Sequence, residues 1–395
     1  MSVKASVAEL ELPAAGETAA RRGYGVLVLL SLGHFFVDLY SGALGALQPA
    51  LVGRLGLSLT QAGILGGVFV VSSSVMQPAY GFLSDRYHTK LFAALAPAIA
   101  GIGISALGIA PGYFWLLALV TLGGAGVAAF HPQASSTVAA CSTARRGGWM
   151  AVFISSGTLG LSLGPASFSA IVAQLGLLRT YWAAVPGVLV TLLLLWRLPA
   201  PAGQPWRRGF HWEPLRAVWR PLTILYLLVF IRSVVQITFA QFLPLYLSLE
   251  RGFSFSNASY ALTLYLAAGA VGGFIGGHLS DRFGGKTVIL LSMVGCLPFL
   301  LLFFLASGAA ALAGLALGGL VLLFTIPVNV VMAQELVPSQ AGTVSALMMG
   351  FAWGMAGMIF IPLVGWASDM FSMHQVLTAL LAFPVLGFLL ALKLK

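Results

Sequence analysis

The chain has 395 residues, of which 59% are hydrophobic and only 8% charged. A soluble domain carries about 25% charged residues, so this chain could not cover a water-facing surface of its size. Despite a net charge of +10 and a pI near 10.0, this excludes a soluble enzyme or nucleic-acid-binding protein and points to a chain that crosses a bilayer many times.

Residues 1–23 read as a cytoplasmic tail. Arg21 and Arg22 precede an apolar run from about Tyr24 to Ala50. That run is too long for a signal core of ~7–15 residues, and it contains Asp38. It reads as the first of twelve spans, at 24–50, 60–83, 91–110, 113–140, 148–174, 181–197, 221–247, 256–280, 287–307, 310–336, 342–367 and 375–393. Each is near the ~20 apolar residues a membrane helix needs. Pro111-Gly112 and Ser307-Gly308 break the two longest apolar runs. The predicted fold is an all-α integral membrane protein, with an N-terminal six-helix bundle (24–197), a cytoplasmic linker (198–220) and a C-terminal six-helix bundle (221–395). The linker carries Trp206, Arg207, Arg208, Trp212, Arg216, Trp219 and Arg220. It is either a segment lying on an anionic leaflet or a plain tether. Cys141 and Cys296 read as packing residues.

Lysine and arginine set the orientation. With the N-terminus cytoplasmic, sixteen fall on the cytoplasmic side, and Arg54, Arg179 and Arg251 on the other. Arg232 alone remains inside a span. Both termini are therefore expected in the cytoplasm, and the basic pI reflects topology rather than an anionic macromolecular partner. The expected location is a bacterial-type inner membrane.

The chain also reads twice. Residues 81–90 are GFLSDRYHTK and residues 277–286 are GHLSDRFGGK, at an offset of 196. Gly157 and Gly354, Gly160 and Gly357, and Pro165 and Pro362 are each 197 apart. Two related halves of six spans follow, a transporter plan.

These repeated loops resemble the signature loop of the major facilitator superfamily, and the resemblance covers almost the whole chain. It implies two bundles around a cavity that opens alternately to each side. Gly160–Pro165 resembles part of the drug-antiporter motif, without the usual paired glycines after the proline. His34–Asp38, Gln77-Pro78, Phe130–Ser135 and Gln334–Pro338 resemble the fosmidomycin resistance group of exporters. In the loops, Asp85 with Arg86 and Asp281 with Arg282 place carboxylates where a neighbouring helix N-terminus would attract them. The resemblance implies the starts of spans eleven and five as their targets. They would then be latches closed only in the outward-open state, with Gly81 and Gly277 permitting close approach. Alternatively Arg86, Lys90, Arg282 and Lys286 only set topology.

Charges at a helix centre cost ~2.5–3.5 kcal/mol on insertion scales, so those present mark function or a partner. His34 and Asp38 lie one turn apart on span one; Arg232 and Gln236 share that spacing on span seven, at an offset of 198. Together with His131 they fall near mid-membrane. His34, His131, Arg232 and Gln236 are candidate substrate contacts. The guanidinium suits a phosphonate, phosphate or carboxylate, unless it pairs with Asp38. Asp38 is the candidate proton carrier, or else a fixed partner of His34. Glu335 is a second proton candidate or a helix-end residue. His131 either lines the cavity or packs at the kink of Pro132. Gly157, Gly160, Gly164 and Pro165, with Gly350, Gly354 and Gly357, form small-residue faces for packing or for sliding between halves.

No phosphate-loop, dinucleotide or metal-cluster pattern occurs, so no cofactor is expected and a proton gradient would supply the energy. The reading is a monomeric, proton-coupled antiporter exporting a small anionic compound, with protons and lipid as its other partners. An importer of an organic anion uses the same cavity. A membrane sensor or enzyme would need a soluble segment longer than any present.

Overall fold

The computed structural model describes residues 15–87, 89–141, 146–199 and 212–394. Side chains of residues 15–22, Asp85, Arg146 and Gly147 lie outside the described set. So do the linker residues Trp206, Arg207, Arg208 and His211.

The described chain is helical, and twelve helices are long and apolar enough to cross a membrane. They are α1 (Gly23–Leu55), α2 (Leu59–Ser84), α3 (Leu91–Ile109), α4 (Tyr113–Cys141), α5 (Gly148–Leu175), α6 (Leu177–Arg197), α7 (Trp219–Leu249), α8 (Phe255–Phe283), α9 (Gly285–Leu305), α10 (Gly308–Leu336), α11 (Pro338–Met370) and α12 (Met373–Ala391). The twelve expected spans match, with ends displaced by a few residues. With an even number of spans, the described chain enters its first span and leaves its last on one face of the membrane. We call that the near face and its opposite the far face.

Two main clusters of buried side chains form the core, the C-terminal one also taking in Ala62 and Val70 of the N-terminal half. Tyr40, Leu44, Leu47, Phe130 and Phe168 anchor the N-terminal one, and Phe239, Phe242, Tyr246, Tyr265 and Phe303 the C-terminal one. Large apolar side chains also point outward, among them Phe114 at 83% and Leu305 at 82% exposure. Such a surface requires hydrocarbon rather than water as its solvent.

The signature segments are not loops. Asp85 and Arg86 lie in the last turn of a helix that runs from Gln77 to Tyr87, and Asp281 and Arg282 form the last turn of α8, which runs to Phe283. His278 is likewise helical. The turn itself is Gly284, at φ 82°, a left-handed conformation that glycine adopts without a Cβ penalty. The linker contributes a short helix, Trp212–Ala217, with no buried residue, and Trp219 begins α7.

Both α2 and α11 contain a π-helical stretch, Val71–Val75 and Ala346–Ala352. Such wide turns break the regular hydrogen-bond ladder and occur often at functional positions. Here they lie within two helices, one from each half, that pack directly on one another.

Candidate functional site

The α1 helix presents His34 and Asp38 on one face, and α4 adds His131. His34 Nε2 lies 3.3 Å from Asp38 Oδ2, and His131 Nε2 lies 3.4 Å from Asp38 Oδ1. Nδ1 of each imidazole meets a backbone carbonyl at 2.8 Å, that of Phe153 for His34 and of Val127 for His131. His34 is buried, while Asp38 and His131 are half-buried. The Phe153 ring stacks on His34 with centroids 4.2 Å apart.

On the other half, Arg232 is 5% exposed and donates through Nη1 to Gln236 Oε1. Tyr265 of α8 is fully buried as well. Among the described residues, the only acid–base side-chain contacts within 4.0 Å are the two of Asp38 with the histidines, ion pairs when the imidazole is protonated. The Asp38–Arg232 bridge left open by the sequence is therefore not formed. Arg232 Nε, Tyr265 Oη and both side-chain polar atoms of Asn329 are buried without a hydrogen-bond partner. Buried polar atoms normally find one, so such a group calls for an explanation.

The halves meet chiefly toward the far face. A Cβ at Gly45 would strike the Ala240 carbonyl, and Ala166 N donates to Thr263 Oγ1 at 3.1 Å. Gly63 packs its backbone against Ile361 and Gly365, and Gly67 against Pro362. At the far end, Asp369 of α11 caps α2: Oδ1 accepts from Leu59 N at 2.9 Å, and Oδ2 from Thr60 N at 2.7 Å and Thr60 Oγ1 at 2.5 Å. Ser58 and Gln61 form a capping box: Gln61 N donates to the Ser58 hydroxyl at 3.1 Å, and Ser58 N to Gln61 Oε1 at 3.0 Å. All four orphan amides of the α2 N-terminus are thus satisfied. The first turn of α12 is capped likewise, by Glu250 and Ser372, but Glu250 belongs to the same half.

At the near face Arg86, Asp281, Arg282 and Glu335 are exposed. Lys90 and Lys286 act locally. Lys90 Nζ donates to the carbonyls of Leu195 and Leu198 at 2.7 and 2.8 Å, and Lys286 Nζ to those of Leu392 and Leu394. A cation at a helix C-terminus is favourable, and both lysines hold the last helix of their own half. Arg54 and Arg251 do the same at the far face, holding the ends of α3 and α9. Gly81 and Gly277 are not tight: an added Cβ would meet Pro132 at 3.4 Å and Pro327 at 3.7 Å.

The two glycine faces have different partners. Gly157, Gly160 and Gly164 pack on α1 within their own half, against His34, Phe35 and Leu39. Gly354 and Gly357 pack on α2 of the other half, against Ser74, Val75 and Val70. Pro165 and Pro362 both lie inside their helices.

The sequence profile described as Major Facilitator Superfamily matches residues 30–362. This chain belongs to the major facilitator superfamily. A superfamily relative, the fosmidomycin resistance protein of Escherichia coli (strain K12), is 30% identical over 95% of this chain and 94% of its own length. A probable sulfoacetate transporter of Cupriavidus necator is 24% identical over 85% and 84%. Among solved structures, the bacterial homologue of the human lysosomal transporter Spinster shares the fold at a TM-score of 0.80, with 18% identity over 93% of this chain and 96% of that one. The chain is thus a multi-pass membrane transporter of this superfamily.

Some residues around the site have no charge or spacing that marks a partner. Gln133, two residues beyond His131, bonds instead to Ser84, to the Thr89 carbonyl and to Ala93 N at 2.6 Å. It ties α4 to the first signature segment. Asp369 and Tyr265 have no distinguishing spacing either, one being a helix-end acid and the other one tyrosine among ten.

Proposed function

We propose that this transporter exports a small anionic compound, a phosphonate of the fosmidomycin type, by proton antiport. The carrying observation is a buried guanidinium without a carboxylate. A lone charge inside a membrane bundle costs several kcal/mol unless a counter-ion arrives. Arg232 and Gln236 would supply a planar, charge-assisted grip on a phosphonate or carboxylate. The relatives named for fosmidomycin resistance and sulfoacetate transport support an anion.

Asp38 carries the coupling proton, held against His34 and His131 in the opposite half. Separate halves for anion and proton allow both to respond to one rocking motion. Glu335, at the exposed end of α10, is a second place for a proton on its way to the cytoplasm.

Alternating access then swaps latches on one helix pair. In the described state Asp369 of α11 closes the far ends of α2 and α11. When these part, Asp85 at the near end of α2 reaches the start of α11, and Asp281 the start of α5. A carboxylate in the last turn of a helix opposes that helix's own dipole. Asp281 therefore gains nothing locally, which favours a partner acquired in another state.

The test is drug susceptibility together with fosmidomycin uptake into proteoliposomes under an imposed pH gradient. Export predicts protected cells and accumulation driven by protons moving the other way. Movement only together with the proton would replace antiport by import. Absence of any gradient effect would remove the coupling.

A further inference from the structure

The hydrogen positions in the His34–Asp38–His131 group follow from its partners. A carbonyl oxygen only accepts hydrogen bonds. Nδ1 of His34 faces the Phe153 carbonyl and Nδ1 of His131 faces the Val127 carbonyl, both at 2.8 Å. Each Nδ1 must therefore carry a hydrogen, and in a neutral ring each Nε2 carries the lone pair. Both Nε2 atoms face one carboxylate.

With no further proton, two lone pairs oppose a charged carboxylate, and neither contact is attractive. One added proton satisfies one contact, and two satisfy both. The group then passes from a charge of −1 through 0 to +1. The ligand atoms lie within 4.8 Å of one another, compact enough to suggest a metal ion. Their arrangement argues otherwise. His34 Nε2 addresses Oδ2 and His131 Nε2 addresses Oδ1, so each nitrogen has its own oxygen instead of converging on one vacant point.

The surroundings leave the group to itself. Gly157 of α5 has no side chain where a Cβ would overlap His34 Nε2. Helices α3 and α5 carry no titratable residue, α6 carries them only near its ends (Arg179, Tyr181, Arg197), and α2 has only Tyr80 within its span. Of the buried titratable groups on α7 and α8, Arg232 is bonded to Gln236, Tyr246 to His374, and Tyr265 is fully buried.

We propose that His34, Asp38 and His131 form one proton-binding site of capacity two, with both imidazoles working through Nε2. The inference rests on the proton-coupled reading and deepens it: the histidines hold protons, and Asp38 is their shared acceptor. On release, an Nε2–H or carboxyl O–H bond breaks and the proton passes to water on the open side; no electrons are transferred.

The experiment is nitrogen-15 NMR of histidine-labelled, full-length protein in lipid nanodiscs, from about pH 5 to about pH 9, bracketing the ordinary imidazole value of ~6.5. His34→Gln and His131→Gln assign the two signals. If either variant fails to fold, replacing His88, His211, His278 and His374 by Gln leaves only the two of interest. We expect both Nδ1 atoms to stay protonated throughout. Both Nε2 atoms should titrate in linked steps, and Asp38→Asn should move both transitions. An Nδ1 that loses its hydrogen, two independent transitions, or an unchanged pair in Asp38→Asn would overturn the proposal. The readout needs no transported substrate. Failure of the export reading would appear in proteoliposomes while this result stood.

Discussion

The first helices of the two halves occupy equivalent places and do different chemistry. In α1 the i,i+4 pair is His34 and Asp38; in α7 it is Arg232 and Gln236. The α1 pair is a carboxylate against an imidazole, and His131 from α4 adds a second imidazole. The α7 pair holds a charge that no physiological pH removes. The same i,i+4 spacing thus holds a titratable pair in one half and a fixed charge in the other. The same contrast recurs at the helix caps. Glu250 and Asp369 both cap a helix start, yet Glu250 acts within its half and Asp369 spans the two. Under the proposed rocking of the halves, a contact within a half would persist, whereas one between halves would have to break.

Several substitutions probe this contrast. The largest effect belongs to Arg232→Ala. Losing one partner of a buried charged contact costs ~2–5 kcal/mol. Accumulation should therefore fall by roughly 30-fold or more, with Arg232→Lys intermediate because it keeps charge without the fork. Initial uptake rates in proteoliposomes would show this, and an unimpaired Arg232→Ala protein would remove the anion site. Next comes Asp38→Asn. It should abolish pH-driven accumulation while substrate still moves downhill at a reduced rate, measured as exchange without a gradient. If both variants fail in the same way, the division of labour between halves is wrong.

Asp369→Asn should have a smaller effect, in the opposite direction from Asp85→Asn. Loss of a helix cap costs ~0.5–2 kcal/mol. Spin labels on the exposed far-face residues Leu178 and Leu305 should report longer distances in Asp369→Asn, and shorter ones in Asp85→Asn. Asp85→Asn should also insert normally yet transport slowly. Identical distance distributions in the two variants would argue against paired latches.

The glycines give the finest contrast. Gly157→Ala pushes a methyl into His34, and crowding of this kind costs ~1–3 kcal/mol. Gly277→Ala meets only ordinary contact at Pro327 and should leave thermal stability nearly unchanged. Slow transport by a stable Gly277→Ala protein would show that close approach there belongs to the other state.

Much of the architecture was legible because bilayer spans are written in composition and positive charge in loops. The half-chain repeat and the i,i+4 pairs also depend only on spacing. What spacing could not show was partnership across helices. Nothing in the sequence near His131 says that it meets Asp38, because that contact needs α4 packed on α1. Glycine spacing on α5 and α11 looks alike, yet one face turns inward to α1 and the other across to α2. Lys90 and Lys286 read as loop charges until the ends of α6 and α12 are placed beneath them. Asp369 is one acid at a helix end, and only the fold sets it against α2.

Proton-driven export stands or falls on fosmidomycin accumulation in proteoliposomes containing the wild-type protein, with a proton gradient imposed and then reversed. Antiport predicts accumulation against the direction of proton flow, reversing when the gradient reverses. Accumulation along the direction of proton flow, or none that depends on the gradient, would contradict it.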